Sequence, residues 1–355
     1  MKKLWYIFVV SIVILCYACR PTNVDIQQYL NSAEELMIDR PDSALSILEN
    51  INVDQISSRG DRARYALLYT QAKDKNFIDE TDVSLISEAK DYYENSNDNK
   101  AKFLSLYYYG RILCNNGDHP DAIIVYTQAE YLLETFKNYY YAGLLYTAIG
   151  NVYRSYYDYD KCLEAYLSAY KYYALSELES HMAYALLDIG IAYWNLEDTI
   201  LADEYINNAL QLALNIGDTH LERICYENLI ILYDSIGEIE NCRYLIDKLN
   251  QNFDKDLFSP ACLGAIASYY ADIHNFKLAD SCLMNAWNNA RCEADSVSLF
   301  FQSANIMKTM GRTDHAWQYF GEGIKIQNNQ LRLAMQQPIA VSYTHLRAHE
   351  TLRYL

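Results

Sequence analysis

The chain has 355 residues, of which 51% are hydrophobic and 21% are charged, so it can bury a core and fill one large domain or two ordinary ones. It has only 12 glycines and 5 prolines, which argues against a loop-rich all-β protein and favours long helices. The formal net charge is −17. This balance excludes a non-specific nucleic-acid binder, because neutralising phosphates requires basic residues.

The N-terminus has the parts of an export signal. Lys2 and Lys3 precede an apolar run over residues 4–15, which is too short for a comfortable membrane span. Cys16 follows the run, and the small Ala18 directly precedes Cys19. This pattern resembles a bacterial lipoprotein signal over residues 1–19, although Cys16 stands where that signal usually has Leu.

The resemblance implies that Cys19 is lipidated and becomes the first mature residue. An uncleaved anchor and an ordinary signal peptide remain open, and each would also export the folded part. No acidic cluster follows Cys19 that would mark it for the outer cell surface. We therefore expect a membrane-anchored chain in the bacterial cell envelope, extracytoplasmic and on the periplasmic side.

Two weakly patterned helical segments follow, over residues 25–51 and 62–95. In the first, Pro41 and Asp42 suit a helix start, and apolar residues then recur at helical spacing. The second has apolar residues at helical spacing but breaks the pattern of the repeats that follow it. Both are predicted to be helical hairpins.

An internal repeat occupies the middle of the chain. Counted from Gly110, the positions +3 and +16 hold large apolar residues, +7 holds a turn residue, and +12 and +19 hold small residues. A similar pattern recurs at the same offsets in later copies. The repeats begin 40 residues apart and then 37 apart, at Gly110, Gly150, Gly190, Ile230, Ala267 and Ala304. This pattern resembles the helix–turn–helix units of tetratricopeptide repeats (TPRs), with a longer period.

Each position of the repeat has a physical reason. Small residues such as Gly110 and Gly150 let the first helix of a hairpin approach the second, and a tyrosine fills the groove between them. Gly117, Gly237 and Gly311 suit a tight turn with positive φ. The resemblance implies an all-α TPR-like solenoid, a right-handed superhelix of about eight hairpins. We place the solenoid at residues 20–340 and its repeats at about 25–327.

The opening also resembles a group of TPR proteins from the envelopes of Gram-negative anaerobes. The matching text is the lipoprotein-like signal, the segment 33–45 (AEELMIDRPDSAL) and the segment 64–69 (RYALLY). In that group a membrane span, a coiled coil and a cytoplasmic DNA-binding or signalling segment often follow the repeats. The resemblance leaves open that this chain is the sensory part of such a regulator.

The C-terminal segment 341–355 (VSYTHLRAHETLRYL) resembles a translated sequencing adapter. We interpret it as a read-through artefact outside the fold. His345 and His349 have the spacing of a helical metal site, but they belong to this segment, so we assign no metal to them.

We find no sequence motif for catalysis or for nucleotide binding. Walker A, dinucleotide-binding, zinc-protease and serine-hydrolase patterns are all missing from the sequence. The predictions are therefore no enzyme, no cofactor and no metal. Seven cysteines follow Cys19 without close spacing, and Cys162 and Cys242 are predicted to be small buried residues, with a disulfide between Cys282 and Cys292 left open.

The TPR resemblance also implies a binding surface, because the concave side of such arrays is lined by the first helix of each hairpin. Arg and Asn side chains there suit a peptide backbone or carboxylate, and aromatic rings suit an apolar anchor. An ordinary solvated groove is the alternative. The candidate residues are Tyr107, Arg111, Asn151, Arg154, Trp194 and Asn195.

We therefore predict a non-enzymatic scaffold, anchored to the envelope through Cys19 or the N-terminal segment, that binds a protein or peptide partner and no nucleic acid. The alternative is a glycan-binding lipoprotein of a nutrient-uptake system that uses exposed aromatic residues such as Tyr107 and Trp194.

Overall fold

In a computed structural model of the chain, residues 23–336 are described. Their regular structure is helical, with 16 α-helices, two short 3₁₀ turns and no strand in this range. The helices are α1 (Asn23–Leu36), α2 (Pro41–Glu49), α3 (Arg59–Lys75), α4 (Ser84–Tyr93), α5 (Asn99–Asn115), α6 (His119–Leu132), α7 (Tyr139–Ser155), α8 (Tyr159–Leu175), α9 (Glu179–Asn195), α10 (Thr199–Ile216), α11 (Thr219–Ile236), α12 (Ile239–Asn252), α13 (Pro260–Asp272), α14 (Phe276–Asn289), α15 (Glu293–Thr309) and α16 (Thr313–Gln336). The predicted all-α hairpin fold is confirmed.

These helices belong to two compact units. The first contains α1–α6 and ends at Lys137, and the second begins at Asn138 and contains α7–α16. The sequence gives no sign of this division, because the repeat continues in frame from Gly110 to Gly150 across it. Each unit is described by itself.

The first unit contains one more regular repeat than the sequence predicts. Its α3–α4 hairpin follows the frame that starts at Thr70, 40 residues before Gly110. Ile86 and Ala89 stand at the +16 and +19 positions, and both are fully buried. The segment 62–95 therefore keeps the repeat geometry that we expected it to break, with a buried polar residue in place of the small one.

In the second unit, glycines allow the close helix contacts that the repeat predicts. A Cβ atom on Gly150 would lie 2.4 Å from Cε1 of Tyr166, and one on Gly190 would lie 2.6 Å from Cγ1 of Ile206. The same relation holds in the first unit, where a Cβ on Gly110 would lie 2.3 Å from Cε1 of Tyr126. Real Cβ atoms do not approach that closely, so each glycine is required by the bulky residue facing it.

The turn inside each hairpin from α3–α4 to α15–α16 repeats one backbone conformation. Gly117, Gly237 and Gly311 have φ of 84°, 75° and 74°, as predicted. The equivalent turns at Phe77, Tyr157, Glu197 and His274 have the same left-handed conformation without glycine, with φ between 57° and 63°. A side chain in this region costs about 1 kcal/mol or more, so these four turns are strained by their neighbours' packing.

Polar side chains begin many of the helices. Asp158, Asp198 and Asp218 each accept a hydrogen bond from the backbone N–H three residues later, with N–O distances of 3.3, 3.0 and 2.9 Å. Such caps satisfy a backbone donor that the helix leaves open and typically contribute about 1 kcal/mol. Short connections between capped helices keep successive hairpins in register.

The cysteines of the described segment are free thiols. Cys162 and Cys242 are buried, as predicted, and Cys282 and Cys292 are not joined to each other. Burial raises the pKa of the Cys162 thiol to about 11 and that of Cys225 to about 12. Cys292 is exposed.

Two predicted segments lie outside the described residues: the signal over residues 1–19, with Cys19, and the tail over residues 341–355. Between residues 23 and 336, no helix combines the length and apolar character needed to span a membrane.

Candidate peptide-binding face

The six predicted site residues are divided between the two units. Tyr107 and Arg111 lie on α5 of the first unit, whereas Asn151 and Arg154 lie on α7 of the second. Trp194 and Asn195 lie at the end of α9, also in the second unit.

Tyr107 is part of the core of the first unit. Its side chain is only 6% exposed, and its ring lies 6.3 Å from that of Tyr126, centroid to centroid. The reason is its position three residues before Gly110, which places both residues on the helix face that packs against α6. A ring buried in this way offers no surface to a ligand, so Tyr107 belongs to the core and not to a binding face.

Arg111 is half-buried and already paired. Its Nε donates to Oδ1 of Asp74 on α3 at 2.9 Å, so the ion pair joins α3 to α5. Burial lowers the pKa of Arg111, but Tyr107, Asp74 and Tyr126 raise it more, and the net pKa lies above its usual value. A ligand carboxylate at this site would compete with Asp74.

In the second unit, Asn151 is held by the tyrosine that fills the hairpin groove. The hydroxyl of Tyr166 donates to Oδ1 of Asn151 at 2.8 Å. The Tyr166 ring is almost fully buried, whereas Asn151 is half-buried. The bond orients the Asn151 amide so that its NH₂ group remains a donor, since Oδ1 is the bonded atom.

Arg154 and Asp188 place opposite charges on neighbouring first helices. Nη1 of Arg154 lies 4.0 Å from Oδ1 of Asp188 on α9, and the Arg154 side chain is 44% exposed. This separation is longer than a hydrogen bond, so the guanidinium keeps donors available. Burial raises the pKa of the Asp188 carboxyl to about 6, although Arg154 lowers it. The four residues Asn151, Arg154, Tyr166 and Asp188 are called the Asp188 cluster below.

Trp194 and Asn195 follow Asp188 on α9. Trp194 is half-buried and packs against the core of the second unit, which leaves part of its indole exposed. Asn195 is exposed, and its Nδ2 donates to the backbone oxygen of Ile191 at 2.8 Å. One of the two N–H donors of Asn195 is thus used within the helix.

Sequence reasoning missed the acidic residues of this face. Asp234 stands on α11 at the repeat position that Arg154 has on α7, and Asp188 lies on α9 between them. Burial raises the pKa of Asp234 to about 6, while a hydrogen bond with Ser268 lowers it. The repeat frame identifies the position of Asp234, whereas the pairing of Asp188 with Arg154 depends on how α7 and α9 pack. The half-buried placement of both aspartates depends on the helices that pack around them.

Within the described residues, the structure contains no group of three or more His, Cys, Asp or Glu side chains arranged to hold a metal ion. The face is therefore a row of hydrogen-bonding and charged groups around an exposed indole edge, on the first helices α7, α9 and α11. We call this surface the helix-A face, after the first helix of each hairpin, and it consists of Asn151, Arg154, Asp188, Trp194, Asn195 and Asp234.

Comparison with known proteins identifies the fold and leaves the family open. No known family matches the sequence. No curated protein matches it either.

Several solved structures have a similar fold. The apo form of RapI matches with a TM-score of 0.64 and 13% identity, over 88% of this chain and 97% of that one. The Rap conjugation gene regulator of plasmid pLS20, solved in complex with the Phr* peptide, matches with a TM-score of 0.54 and 15% identity over 93% and 96%. A tetratricopeptide repeat protein from Parabacteroides merdae ATCC 43184 matches with a TM-score of 0.53 and 16% identity over 78% and 100%. At these identities, the similarity shows a TPR-like fold alone.

Proposed function

We propose that the helix-A face of the second unit binds an extended peptide or a segment of a protein partner. The observation that carries this proposal is the Asp188 cluster, in which the buried Tyr166 orients the Asn151 amide and Arg154 stays exposed near Asp188, with Trp194 half-buried on the same first helix as Asp188. Asn151 would donate to a peptide carbonyl, and Arg154 would bind a carboxylate with two parallel hydrogen bonds. The exposed part of Trp194 would contact an apolar side chain.

The charges on the helix-A face indicate which charged groups a bound peptide should carry. A partner that binds here meets one exposed arginine followed by Asp188 and Asp234 on the next two first helices. We expect the bound segment to carry an acidic group near Arg154 and a basic group near the aspartates, because unlike charges across an interface favour the correct register. The known complex of the pLS20 regulator with the Phr* peptide supports the proposal by fold analogy alone.

A selection experiment tests this function. The full chain would be immobilised and screened against a display library of random 12-residue peptides. Enriched peptides should lose about tenfold or more in affinity for Arg154→Ala, the scale of one charged hydrogen-bonded contact. Arg243→Ala, which removes an equal charge from the exposed surface of α12, is the matched control.

A library without enriched peptides would contradict the proposal. So would peptides whose affinity falls equally for Arg154→Ala and Arg243→Ala, because that loss would reflect net charge alone. Arg111→Ala is expected to have a smaller effect than Arg154→Ala, since Arg111 already binds Asp74.

We further propose that the chain acts without chemistry at the bacterial envelope, held there by lipidated Cys19, and that it serves as an extracytoplasmic scaffold or as the sensory part of a regulator. Binding would then shift a conformational equilibrium that the anchor transmits. Cys19→Ala should move the chain from the membrane fraction to the soluble fraction. An unchanged membrane fraction would instead indicate an uncleaved N-terminal anchor.

The glycan-binding alternative has one supporting observation. On α7 and α8, Tyr172 stacks on Tyr139 at 6.2 Å and on Tyr146 at 5.5 Å, and Tyr139 is exposed. Exposed aromatic faces suit the apolar faces of sugars. Tyr139→Ala should abolish retention on a glycan array under this alternative and leave peptide selection unchanged.

A further inference from the structure

Helix α16 has two apolar stripes, and one of them stays largely exposed in the described chain, although the Phe320 ring on it lies 5.7 Å from that of Phe301 on α15. It has 24 residues, more than any other described helix. Ala316, Tyr319 and Gly323 lie on the less exposed stripe, which packs against the preceding hairpin and α15. The second stripe is exposed and has the spacing of a helix–helix seam: Trp317, Phe320, Ile324 and Leu331.

The preceding hairpin shows what normally covers the equivalent face. There Ala267, Ala279 and Leu283 are buried in one cluster with Ile306 and Met307 of the following helix, α15. The residues 37 positions later are Ala304, Ala316 and Phe320. Phe320 is 41% exposed, whereas its counterpart Leu283 is 5% exposed.

This uncovered face contains an open cavity of about 270 Å³. Ala304 and Lys308 line it from α15, and Ala316, Trp317 and Phe320 line it from α16. Trp317 is 68% exposed and projects beside the cavity. The face therefore has both a hollow and a large side chain able to fill one.

Gly321 gives an independent indication that another helix packs here. Glycine inside a helix costs about 1 kcal/mol relative to alanine. Gly110, Gly150 and Gly190 are each explained by a bulky side chain that packs against the helix at that point. Gly323 is explained in the same way, because a Cβ there would lie 3.1 Å from Cβ of Phe300. A Cβ on Gly321 would have no heavy atom within 4 Å. Gly321 lies between Trp317 and Ile324 on the exposed stripe, where a missing side chain lets a second backbone approach closely.

We propose that this face, formed by Trp317, Phe320, Gly321, Ile324 and Ala304, binds the same face of a second copy of the chain across a two-fold axis. Helix α16 crosses its counterpart near Gly321, and each Trp317 enters the cavity of the other copy. A two-fold interface requires a surface that is complementary to itself, and the hollow beside Trp317 meets this requirement.

Length and charge favour a second copy over an unrelated helix. The exposed stripe spans Trp317 to Leu331, about 21 Å at 1.5 Å per residue, so a partner helix must offer an equally long seam, and α16 itself does so. The chain has a net charge of −17, yet α16 contains two acidic residues, Asp314 and Glu322, and two basic residues, Lys325 and Arg332. Two copies therefore meet on this face without the repulsion expected elsewhere.

Sedimentation velocity of the full chain in a density-matched mild detergent, over a concentration series, tests the proposal. We expect a reversible dimer whose dissociation constant rises about tenfold or more for Trp317→Ala, as for a central aromatic contact. Gln318→Ala, on the same helix and exposed outside the stripe, should keep the parent's dissociation constant. A chain that stays monomeric, or a dimer equally unaffected by both changes, would overturn the proposal.

Gly321→Ala separates the interface from folding. In the isolated chain this change should slightly raise thermal stability, because the new methyl group meets open space and alanine favours the helix. It should nevertheless weaken the dimer. Gly321→Cys should form an intermolecular disulfide more readily than Gln318→Cys, since the axis places the two Gly321 residues close together. Equal crosslinking of the two variants would also refute the two-fold arrangement.

Discussion

The neighbouring hairpins α7–α8 and α9–α10 share one repeat frame and differ in what fills the groove. In the first, Gly150 faces the ring of Tyr166, whose hydroxyl reaches Asn151 on the helix-A face. In the second, Gly190 faces Ile206, which ends inside the groove. The glycine sets the helix spacing in both, but only tyrosine connects the core to the proposed binding face. The residue that fills the groove therefore decides whether a hydrogen bond holds the orientation of a surface side chain in that repeat.

The largest expected effect tests whether both glycines are needed for helix spacing. Gly150→Ala should lower the free energy of unfolding by about 2–3 kcal/mol, because the new Cβ would overlap a buried ring. Gly190→Ala should also destabilise the fold, since the new Cβ would lie 2.6 Å from Cγ1 of Ile206 and within 3.2 Å of backbone atoms of Ile206 and Ala202. Urea unfolding measures both values. The double variant Gly150→Ala/Tyr166→Leu should recover part of the loss, and failure to recover would show that the ring is not the obstacle.

The second prediction concerns the charge held between the two hairpins. The pKa of Asp188 is about 6 in the folded chain against 3.8 for a free carboxyl, so the folded state binds more protons between these values. Stability should therefore rise as the pH falls from 7 to about 4.5. Asp188→Asn should remove roughly 1–2 kcal/mol of this rise, and Asp234, with a pKa also near 6, and Asp272, whose pKa is raised by burial, should contribute to what remains.

Arg154 lowers the pKa of Asp188, so Arg154→Ala should shift the rise in stability to higher pH. Asp160→Asn, which changes an exposed carboxylate on α8, serves as the control. Identical pH profiles for Asp188→Asn and Asp160→Asn would contradict this account.

The third prediction sharpens the role of the tyrosine hydroxyl. Tyr166→Phe should cost about 1 kcal/mol, the usual value of one hydrogen bond, because it leaves Asn151 Oδ1 without its donor. Tyr126→Phe should cost less, since its hydroxyl makes only a 3.6 Å contact with Sγ of Cys114. Under the proposed function, Tyr166→Phe also weakens peptide binding. Equal losses for the two variants would show that the bond to Asn151 adds nothing.

The smallest effect concerns the turns inside the hairpins. Glu197 is exposed and has φ of 63°, where Gly237 in the α11–α12 hairpin has φ of 75°. Glu197→Gly should raise the free energy of unfolding by about 0.5 kcal/mol, because relief of strain exceeds the added entropy of the unfolded chain. Gly237→Ala should lower it by about 1 kcal/mol. A loss of stability for Glu197→Gly would mean that this turn is not strained.

The hairpin geometry was predictable because its causes lie within one repeat. The pairing of Gly150 with Tyr166 and the turn at Gly117 follow from local sterics at fixed offsets, which any copy of the repeat displays. The α3–α4 hairpin was predicted, but its regular repeat frame was missed because Thr70 is polar where other repeats have a small or apolar residue. The division after Lys137 was missed because the repeat frame runs across it unchanged.

The candidate site was less predictable because it depends on contacts between hairpins. Arg154 was identified from its place in the frame, but Asp188, which faces it from the next first helix, becomes visible only when the two helices pack. Tyr107 was assigned to the surface because the repeat frame predicts the side of the helix on which a residue lies, but not how deeply its side chain is buried. Its proximity to Gly110 places it in the core.

The burial of the thiols has a consequence for chemical modification. Burial raises the pKa of Cys114, Cys162 and Cys225, so few of these sulfurs are ionised at neutral pH, and the thiolate is the form that attacks an electrophile. Cys292 is the exposed cysteine in the described segment, directly before α15. A maleimide fluorophore applied at neutral pH should therefore label this stretch at Cys292 first, beside the last hairpin. Such a dye would report association of two copies through energy transfer, without any engineered residue.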